Sequence, residues 1–287
     1  MRVQLGRIAV FPIKALDAAA VEEARITPGG FLEHDRVYAI VDAQGKCVNG
    51  KRDARVHRLR SRFDAEFREV RLSVQDSGCE TQFVLAEPGP ISRWLSDYLE
   101  TSVALNRETE KGFPDDREAY GPTILSEPTL RTVASWYPGM TLESARRRFR
   151  ANLELEGVDA PPFWEDRLYR AAGELLPFHI GAVRFLGHNP CQRCVVPTRD
   201  PDTGQPTPGF QKDFMERRSQ TLPDWANRSR FNHFYRLAIN TSVPASEAGK
   251  LLRSGDVVHL ELPSTQLAVG ALSPSVASGT VLRTPFP

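Results

Sequence analysis

The chain has few cysteines, almost no net charge and no long apolar run, and each of these absences excludes a class of protein. Four cysteines in 287 residues are too few for a disulfide framework, so we expect a reducing, cytoplasmic location. A net charge of +1 lacks the basic excess of a general nucleic-acid binder. No apolar run reaches the roughly 18 residues that cross a bilayer, and the N-terminus shows no signal-peptide pattern. We therefore expect neither nucleic acid nor membrane as a partner.

The chain also lacks the usual means of taking electrons from a nicotinamide carrier. No glycine-rich dinucleotide fingerprint lies between a predicted strand and a predicted helix. No cysteine follows Cys194, so that part of the chain cannot supply the ligands of an iron–sulfur cluster. Any redox chemistry would therefore need a separate redox protein as the electron donor.

What the chain does contain is a pair of cysteines three residues apart, Cys191 and Cys194, after an apolar stretch typical of a strand. A structural zinc site would need four ligands, and no second cysteine pair or spaced histidine pair is present. A thioredoxin-like pair belongs at the start of a helix, whereas the pattern at 195–198 predicts extended, proline-interrupted chain. Two thiols that only pack in a core are a further alternative. Spacing alone leaves these alternatives open.

The first hundred residues predict a β-rich region, with a hairpin whose turn is Asp42-Ala43-Gln44-Gly45. A helix is predicted where apolar residues recur at helical spacing behind Pro88-Gly89-Pro90. Ser126 is a candidate cap for a second helix. The polar segment 107–121 is the best candidate for a domain boundary.

Two predictions concern the second half of the chain. The alternation from Phe149 to Leu155 predicts a strand with Arg150, Asn152 and Glu154 on one face. The long, polar and proline-rich stretch 199–225 predicts an excursion over the surface rather than a core element.

Seven short motifs are spread along the chain: Phe11-Pro12-Ile13-Lys14, Asp35-Arg36, Leu125-Ser126-Glu127, Phe149-Arg150-Ala151-Asn152, Ile180-Gly181, Cys191-Gln192-Arg193-Cys194 and Asp200-Pro201-Asp202-Thr203-Gly204. Their order and approximate spacing resemble those of the MOSC (molybdenum cofactor sulfurase C-terminal) proteins. The nearest resemblance is to the branch that contains the mitochondrial amidoxime reducing component and its bacterial relatives. The combination is specific, although each piece alone would be weak.

The resemblance implies a β-rich α+β fold. An N-terminal β-barrel-like domain, residues 1–106, would pack on a mixed β-barrel MOSC domain, residues 107–262. Residues 263–287, rich in Ser, Pro and Ala, are predicted to form a loosely held tail.

The resemblance also implies a site. The family holds a molybdenum cofactor (Mo-molybdopterin) between the two domains, with the second cysteine of Cys-x-x-Cys as the metal ligand, which here is Cys194. A soft thiolate suits molybdenum, so Cys194 is the predicted metal ligand and catalytic residue. The implied cofactor contacts are Lys14, Arg36, Arg150, Asn152, Gln192, Arg193 and Phe234. Asp200 is a candidate catalytic residue at the rim of the site, with turn formation as the alternative.

Some positions depart from the family pattern. Ala15 stands where close relatives have serine, and Phe234 stands where relatives place a tyrosine. Ala119-Tyr120-Gly121 replaces the Asp-Thr-Ser of the animal proteins. These changes concern the outer cofactor contacts and the substrate pocket rather than the metal ligand.

The implied function is a molybdenum-cofactor-dependent reductase that acts on small N-hydroxylated or N-oxide compounds. Its electrons would come from a ferredoxin-, flavodoxin- or cytochrome b5-like protein. The alternative is a protein that carries the molybdenum cofactor, or a persulfide on Cys194, for delivery elsewhere.

Overall fold

The computed structural model describes residues 1–116 and 118–261. These residues form a β-rich α+β fold, which confirms the predicted class. The strands are β1 (Gln4–Val10), β2 (Ala19–Val21), β3 (Glu23–Arg25), β4 (Tyr38–Asp42), β5 (Leu59–Phe63), β6 (Glu69–Val74), β7 (Glu80–Val84), β8 (Val103–Arg107), β9 (Ile124–Ser126), β10 (Leu153–Glu156), β11 (Leu176–Ile180), β12 (Val183–Gln192), β13 (Arg236–Ser242), β14 (Leu251–Arg253) and β15 (Val258–Leu260). The helices are α1 (Pro88–Leu99), α2 (Glu127–Ser135), α3 (Leu142–Phe149) and α4 (Phe210–Gln220).

Eight strands form the large sheet, in the order β15-β11-β12-β13-β9-β10-β1-β2. Neighbours pair antiparallel except β9 and β10, which run parallel. A bridge between Gln4 and Val257 links β1 to the segment just before β15. Among the described residues, however, no sheet closes into a complete barrel.

In β11 of the large sheet, buried residues alternate with half-buried ones. Phe178 of β11 stacks on Phe185 of β12 with ring centroids 5.4 Å apart. This period of two places apolar side chains on the core face, because successive residues of a strand point to opposite faces. β1 and β2 come from the predicted first domain, yet they lie in this sheet beside six strands from the predicted second domain. The predicted boundary at residues 106–107 stays a prediction.

Residues 37–107 form a smaller lobe around an apolar core, to which Ile13 and Leu16 also contribute. It contains the pair β4-β8, the meander β5-β6-β7 and helix α1. The predicted helix α1 forms, but it begins at Pro88, so that Pro88-Gly89-Pro90 belongs to its first turn. It buries Ile91, Leu95 and Leu99 at helical spacing. The turn predicted at 42–45 also forms, but only a single bridge continues it as a hairpin. β4 pairs instead with β8.

The strand predicted from Phe149 to Leu155 is wrong in its first half. Thr141 caps α3 by accepting a hydrogen bond from the Ser144 N–H, and the helix runs to Phe149. Arg150 then adopts a left-handed conformation (φ 52°), with its N–H bonded to the Arg146 carbonyl. Such a C-terminal cap reverses the chain direction, so β10 begins only at Leu153.

The surface excursion predicted at 199–225 is also wrong in part. It contains α4, whose Phe210 and Phe214 are buried in an aromatic cluster with Tyr137 and Phe149. The helix additionally buries Arg218, a charged residue that interrupts the apolar pattern expected of a core helix. The predicted tail at 263–287 lies outside the described residues.

In residues 1–116 and 118–261, no helix has the length and apolar composition needed to span a membrane.

Candidate functional site

A cleft of about 770 Å³ lies between the smaller lobe and the large sheet, and both cysteines of the motif line it. β12 carries Cys191 near its end, and Cys194 follows the strand directly. The backbone N–H of Arg193 bonds to the Tyr235 carbonyl, which holds the motif against the chain leading into β13. The predicted strand before the cysteines is therefore confirmed, and it delivers them to this cleft.

The two thiols differ in their contacts. Arg193 Nη1 donates to Cys191 Sγ at 3.4 Å, and Cys191 also packs against the aromatic cluster of α4. Cys194 Sγ makes no hydrogen bond within the described part of the chain. Cys194 is therefore the thiol that is left available to a ligand.

The cleft is strongly cationic although the whole chain is nearly neutral. Of the described residues that line it, ten are basic and three are acidic. The basic ones are Lys14, Arg36, Lys51, Arg60, Arg147, Arg148, Arg150, Arg193, Arg230 and Arg236, and the acidic ones are Asp17, Asp115 and Asp116. Like charges gathered in one concavity attract an anion.

Four of these arginines, Arg150, Arg193, Arg230 and Arg236, form no salt bridge with any described carboxylate. They donate to backbone carbonyls instead: Arg150 Nη2 lies 2.7 Å from the Leu16 oxygen, and Arg193 Nη2 lies 2.6 Å from the Phe149 oxygen. Carbonyl oxygens orient a guanidinium without neutralising it, so the positive charge remains available to a ligand.

Burial destabilises the charged form of several arginines in the cleft. Burial and the neighbouring Arg36 charge lower the pKa of Arg150, and burial also lowers the pKa of Arg148 and Arg236. A lowered pKa in a base means that its charged form is destabilised where it lies. An anion bound in the cleft would relieve this destabilisation.

Unpartnered nitrogen atoms point to the same conclusion. The Nε atoms of Arg60, Arg193 and Arg236 are buried, and they lack hydrogen-bond partners among the described residues. All three residues line the cleft. Since buried polar groups are nearly always satisfied in folded proteins, these atoms mark where ligand oxygen or nitrogen atoms would sit.

The structure brings together six of the predicted site residues: Lys14, Arg36, Arg150, Gln192, Arg193 and Cys194 all line the cleft. Lys14 Nζ is held by the carbonyls of Phe113 and Pro114 and by Asp115 at 2.9 Å. It therefore anchors the segment that forms one wall.

Asn152 and Phe234 do not line the cleft. Asn152 is 1% exposed, its Nδ2 donates to the Ala9 carbonyl, and its Oδ1 accepts from the Thr123 N–H. It therefore joins β1 to the strands that carry the site. Phe234 stacks on Phe231 against the core. Their predicted cofactor contacts stay predictions.

Asp200 lies in a turn beside the cleft. Its Oδ1 accepts from the backbone N–H groups of Asp202 and Thr203, as the alternative of turn formation predicts. Arg147 Nη1 lies 2.7 Å from Asp202 Oδ1, and Arg148 Nη2 lies 3.6 Å from Asp200 Oδ2. The catalytic role of Asp200 stays a prediction, while its contacts attach the turn to α3.

The sequence reasoning missed the other basic residues of the cleft, namely Lys51, Arg60, Arg147, Arg148, Arg230 and Arg236. One signal was available: the run Arg146-Arg147-Arg148 directly precedes the Phe149-Arg150 motif. Arg60, by contrast, comes from β5 of the smaller lobe. Nothing near it in sequence indicates a site.

No group of three or more His, Cys, Asp and Glu side chains is arranged to hold a metal ion in residues 1–116 and 118–261. The zinc alternative thus gains no support from the described residues.

Comparison with known proteins now gives the family. Residues 2–102 match the MOSC N-terminal beta barrel domain, and residues 123–259 match the MOSC domain. The chain belongs to the MOSC family. The resemblance drawn from the seven motifs is therefore confirmed, and MOSC membership points to a function related to the molybdenum cofactor.

Similar proteins include insect molybdenum cofactor sulfurases. The one from Drosophila melanogaster is 24% identical over 243 residues, which cover 72% of this MOSC chain and 29% of the fly protein. The one from Drosophila yakuba is 24% identical over 293 residues, which cover 91% of this chain and 35% of that protein. The chain thus spans about a third of the length of these relatives. A solved structure, the YuaD protein from Bacillus subtilis, matches at 12% identity with a TM-score of 0.36, covering 91% of this chain and 98% of that one.

Proposed function

We propose that the cleft binds the molybdenum cofactor through Cys194 and that this MOSC protein reduces N-hydroxylated or N-oxide compounds. The observation that carries the proposal is the presence, in one cleft, of an available thiol and four arginines that form no salt bridge with a described carboxylate. The thiol suits the metal, and the guanidinium groups suit the phosphate and the polar pterin.

The residues present fit this group. Cys194 would hold the metal, and Arg150 and Arg193 would donate to the phosphate and the pterin, together with Arg36 and Lys14. The buried, unpartnered Nε of Arg193 supports this assignment, because it needs an acceptor that the described residues do not provide. When bound, the cofactor would supply two-electron redox chemistry.

The chain's own residues would orient the reaction and keep the thiol available. Arg193 Nη1 donates to the Cys191 thiol at 3.4 Å, so that sulfur already has a hydrogen-bond partner. Reduction of an N-hydroxylated substrate consumes two electrons and two protons, breaks the N–O bond and releases water. The electrons would come from a separate ferredoxin-, flavodoxin- or cytochrome b5-like protein, because the chain has no dinucleotide fingerprint.

Molybdenum-loaded protein should reduce benzamidoxime with reduced viologen or a redox-protein partner, and it should be inert with NADH or NADPH alone. The assay follows benzamidine formation with each donor in turn. Turnover driven by NADH without a partner would contradict the need for a separate donor. No turnover with any donor would contradict the reductase proposal.

Arg150→Ala should weaken cofactor retention by roughly 10- to 100-fold, since a hydrogen bond to a charged group contributes about 1.5–3 kcal/mol. Pterin and molybdenum contents should fall together after purification, while the circular dichroism spectrum stays unchanged. Arg58→Ala is the matched control, because Arg58 does not line the cleft. Full cofactor occupancy in folded Arg150→Ala protein would rule out this role.

A second function, as a carrier of the cofactor or of a persulfide on Cys194, is favoured by one observation. The similar insect proteins are named molybdenum cofactor sulfurases, and this chain corresponds to about a third of their length. Transfer of bound cofactor to an apo-molybdoenzyme, in the absence of turnover with any donor, would support the carrier function.

A further inference from the structure

The turn at 200–204, which we call the bridging turn, lies between α3 and the smaller lobe and contacts both. On the α3 side, Arg147 Nη1 lies 2.7 Å from Asp202 Oδ1, and Arg147 Nη2 donates to the Pro201 carbonyl at 2.8 Å. On the lobe side, Arg60 of β5 donates to the same carbonyl at 3.2 Å, and its Nη1 lies 4.0 Å from Asp202 Oδ1. One carbonyl and one carboxylate thus join α3 to the lobe.

Hydrogen bonds within the bridging turn hold its shape. The Asp200 N–H donates to the Gln205 carbonyl at 2.8 Å, and the Gly204 N–H donates to the Asp200 carbonyl at 2.9 Å. Arg199 Nη1 donates to the Gly204 carbonyl at 3.0 Å. Because these bonds close the turn on itself, we expect it to attach and detach as one unit.

The turn also fits closely against the backbone of the lobe. Gly204 has a left-handed backbone (φ 74°), and a Cβ added there would lie 2.5 Å from the Ala54 carbonyl oxygen and 3.3 Å from His57 Cβ. Glycine alone permits both this conformation and this approach. Any larger residue at 204 would push the turn away from the lobe.

The contacts of the bridging turn lie at the cleft, since Arg60, Arg147 and Pro201 all line it. The ion pairs are partly exposed: the side chains of Asp202, Arg147 and Arg60 are 44%, 27% and 21% exposed. Ion pairs at such sites are modest in strength and are screened by salt. The bridge can therefore break while the buried cores of the two sides stay intact.

We propose that the bridging turn controls how fast the cleft exchanges its ligand. The proposal rests on the cofactor-binding part of the proposed function. With the turn attached, α3 and the lobe are held together around the ligand. With the turn detached, they separate far enough for a bulky anion, such as a phosphorylated pterin, to enter or leave. Local opening of a few contacts at the edge of a site is a common way to gate a ligand.

The first test uses the full chain purified from a host that makes no cofactor. Trypsin cleaves after Arg193 and so places Cys191 and Cys194 on separate peptides, which mass spectrometry follows individually. The labelling rate of Cys194 with a bulky maleimide, divided by that with iodoacetamide, measures access to the cleft. This ratio should rise about threefold or more in Asp202→Asn, which removes the charge that Arg60 and Arg147 share. It should rise about tenfold in Gly204→Ala, which displaces the turn.

Gly45→Ala is the matched control, because Gly45 has nearly the same backbone (φ 73°) and no atom within 4 Å of an added Cβ. Its ratio should stay within about twofold of the wild type. Raising the salt from about 0.05 to about 0.5 M should increase the wild-type ratio and affect Asp202→Asn less, because salt screens the ion pairs. A wild-type ratio in Asp202→Asn would overturn the proposal, even if Gly204→Ala does not fold.

The second test measures ligand release from molybdenum-loaded protein, as the pterin left on the chain after timed dilution and gel filtration. Asp202→Asn and Gly204→Ala should release pterin about threefold or more faster than the wild type and Gly45→Ala. Slower release from Asp202→Asn would mean that Asp202 competes with the ligand for Arg60 and Arg147, which contradicts the proposal. Wild-type protein without pterin would refute cofactor binding, and the labelling ratios alone would then uphold or overturn the bridging turn as a gate.

Discussion

Cys194→Ser should abolish reductase activity and remove most of the bound molybdenum, whereas Cys191→Ser should retain most of both. The reason is chemical: serine replaces a soft thiolate with a hard, mostly protonated hydroxyl that is a poor ligand for this metal. The structure adds that Cys194 Sγ has no hydrogen bond within the described residues, while Cys191 Sγ is held by Arg193. Both variants should fold, because each exchange removes little volume at a partly exposed site.

The two cysteine variants serve as controls for each other. Each protein is purified from the same molybdenum-proficient host, and molybdenum content, pterin content and benzamidoxime turnover are measured on the same sample. An inactive Cys191→Ser protein beside a Cys194→Ser protein that keeps its metal and its turnover would reverse the assignment.

Arg218→Met should lower the free energy of unfolding by about 3–5 kcal/mol, the usual cost of breaking a buried ion pair from one side. Arg218 is 1% exposed, it pairs with Asp166, and its guanidinium lies over the rings of Phe163 and Phe231, 4.1 and 5.1 Å from their centroids. Methionine fills a similar volume but leaves the Asp166 carboxylate buried without its partner. In a domain of this size the melting temperature should fall by roughly 10 °C or more.

The pH dependence of this variant follows from the same pair. Burial already raises the pKa of Asp166, and the Arg218 charge opposes that rise. Without Arg218, the folded-state pKa rises further above the unfolded value. The unfolded state then binds fewer protons than the folded state between these two values. The loss of stability in Arg218→Met should therefore grow as pH rises through this window.

Arg217→Met is the matched control, because Arg217 is the exposed residue just before Arg218 on the same helix. It should change the free energy of unfolding by less than about 0.5 kcal/mol. The double variant Arg218→Met with Asp166→Asn should recover part of the loss, because no uncompensated charge stays buried. Stability of Arg218→Met equal to that of Arg217→Met would contradict the importance of the buried pair.

The sequence predicted an element correctly where the apolar residues of its pattern are also the residues that pack in the core. Helix α1 has proline at its start and Ile91, Leu95 and Leu99 at helical spacing, and all three are buried. The alternation at 149–155 gave a wrong prediction, since Phe149 ends a helix and Leu153 starts a strand. Arg150 lies between the helix and the strand, and its backbone is left-handed. A non-glycine residue seldom adopts this conformation, and no pattern in the sequence predicts it.

Helix α4 was missed for a related reason. Prolines and glycine crowd the segment before it, and Arg218 occupies a position where an amphipathic helix would carry an apolar residue. The ion pair with Asp166 joins residues 52 positions apart in sequence, so only the folded chain shows why a charged residue is buried there.

The candidate site was predictable where a motif carried it. Cys194, Arg193 and Arg150 belong to motifs that the MOSC resemblance marks, and they meet in one cleft. The cationic character of the cleft was predictable only in part, from the basic residues that the resemblance marks, because a net charge of +1 does not show where charges concentrate. Arg60 and Arg236 reach the cleft from β5 and β13, so their proximity depends on the fold.

The most direct test of the central claim is the molybdenum and pterin content of wild-type protein purified from a molybdenum-proficient host. A cleft that binds the cofactor through Cys194 should retain about one molybdenum and one pterin per chain, the stoichiometry of a single resident cofactor. Folded protein that contains neither, purified from cells in which another molybdoenzyme is fully loaded, would contradict the claim.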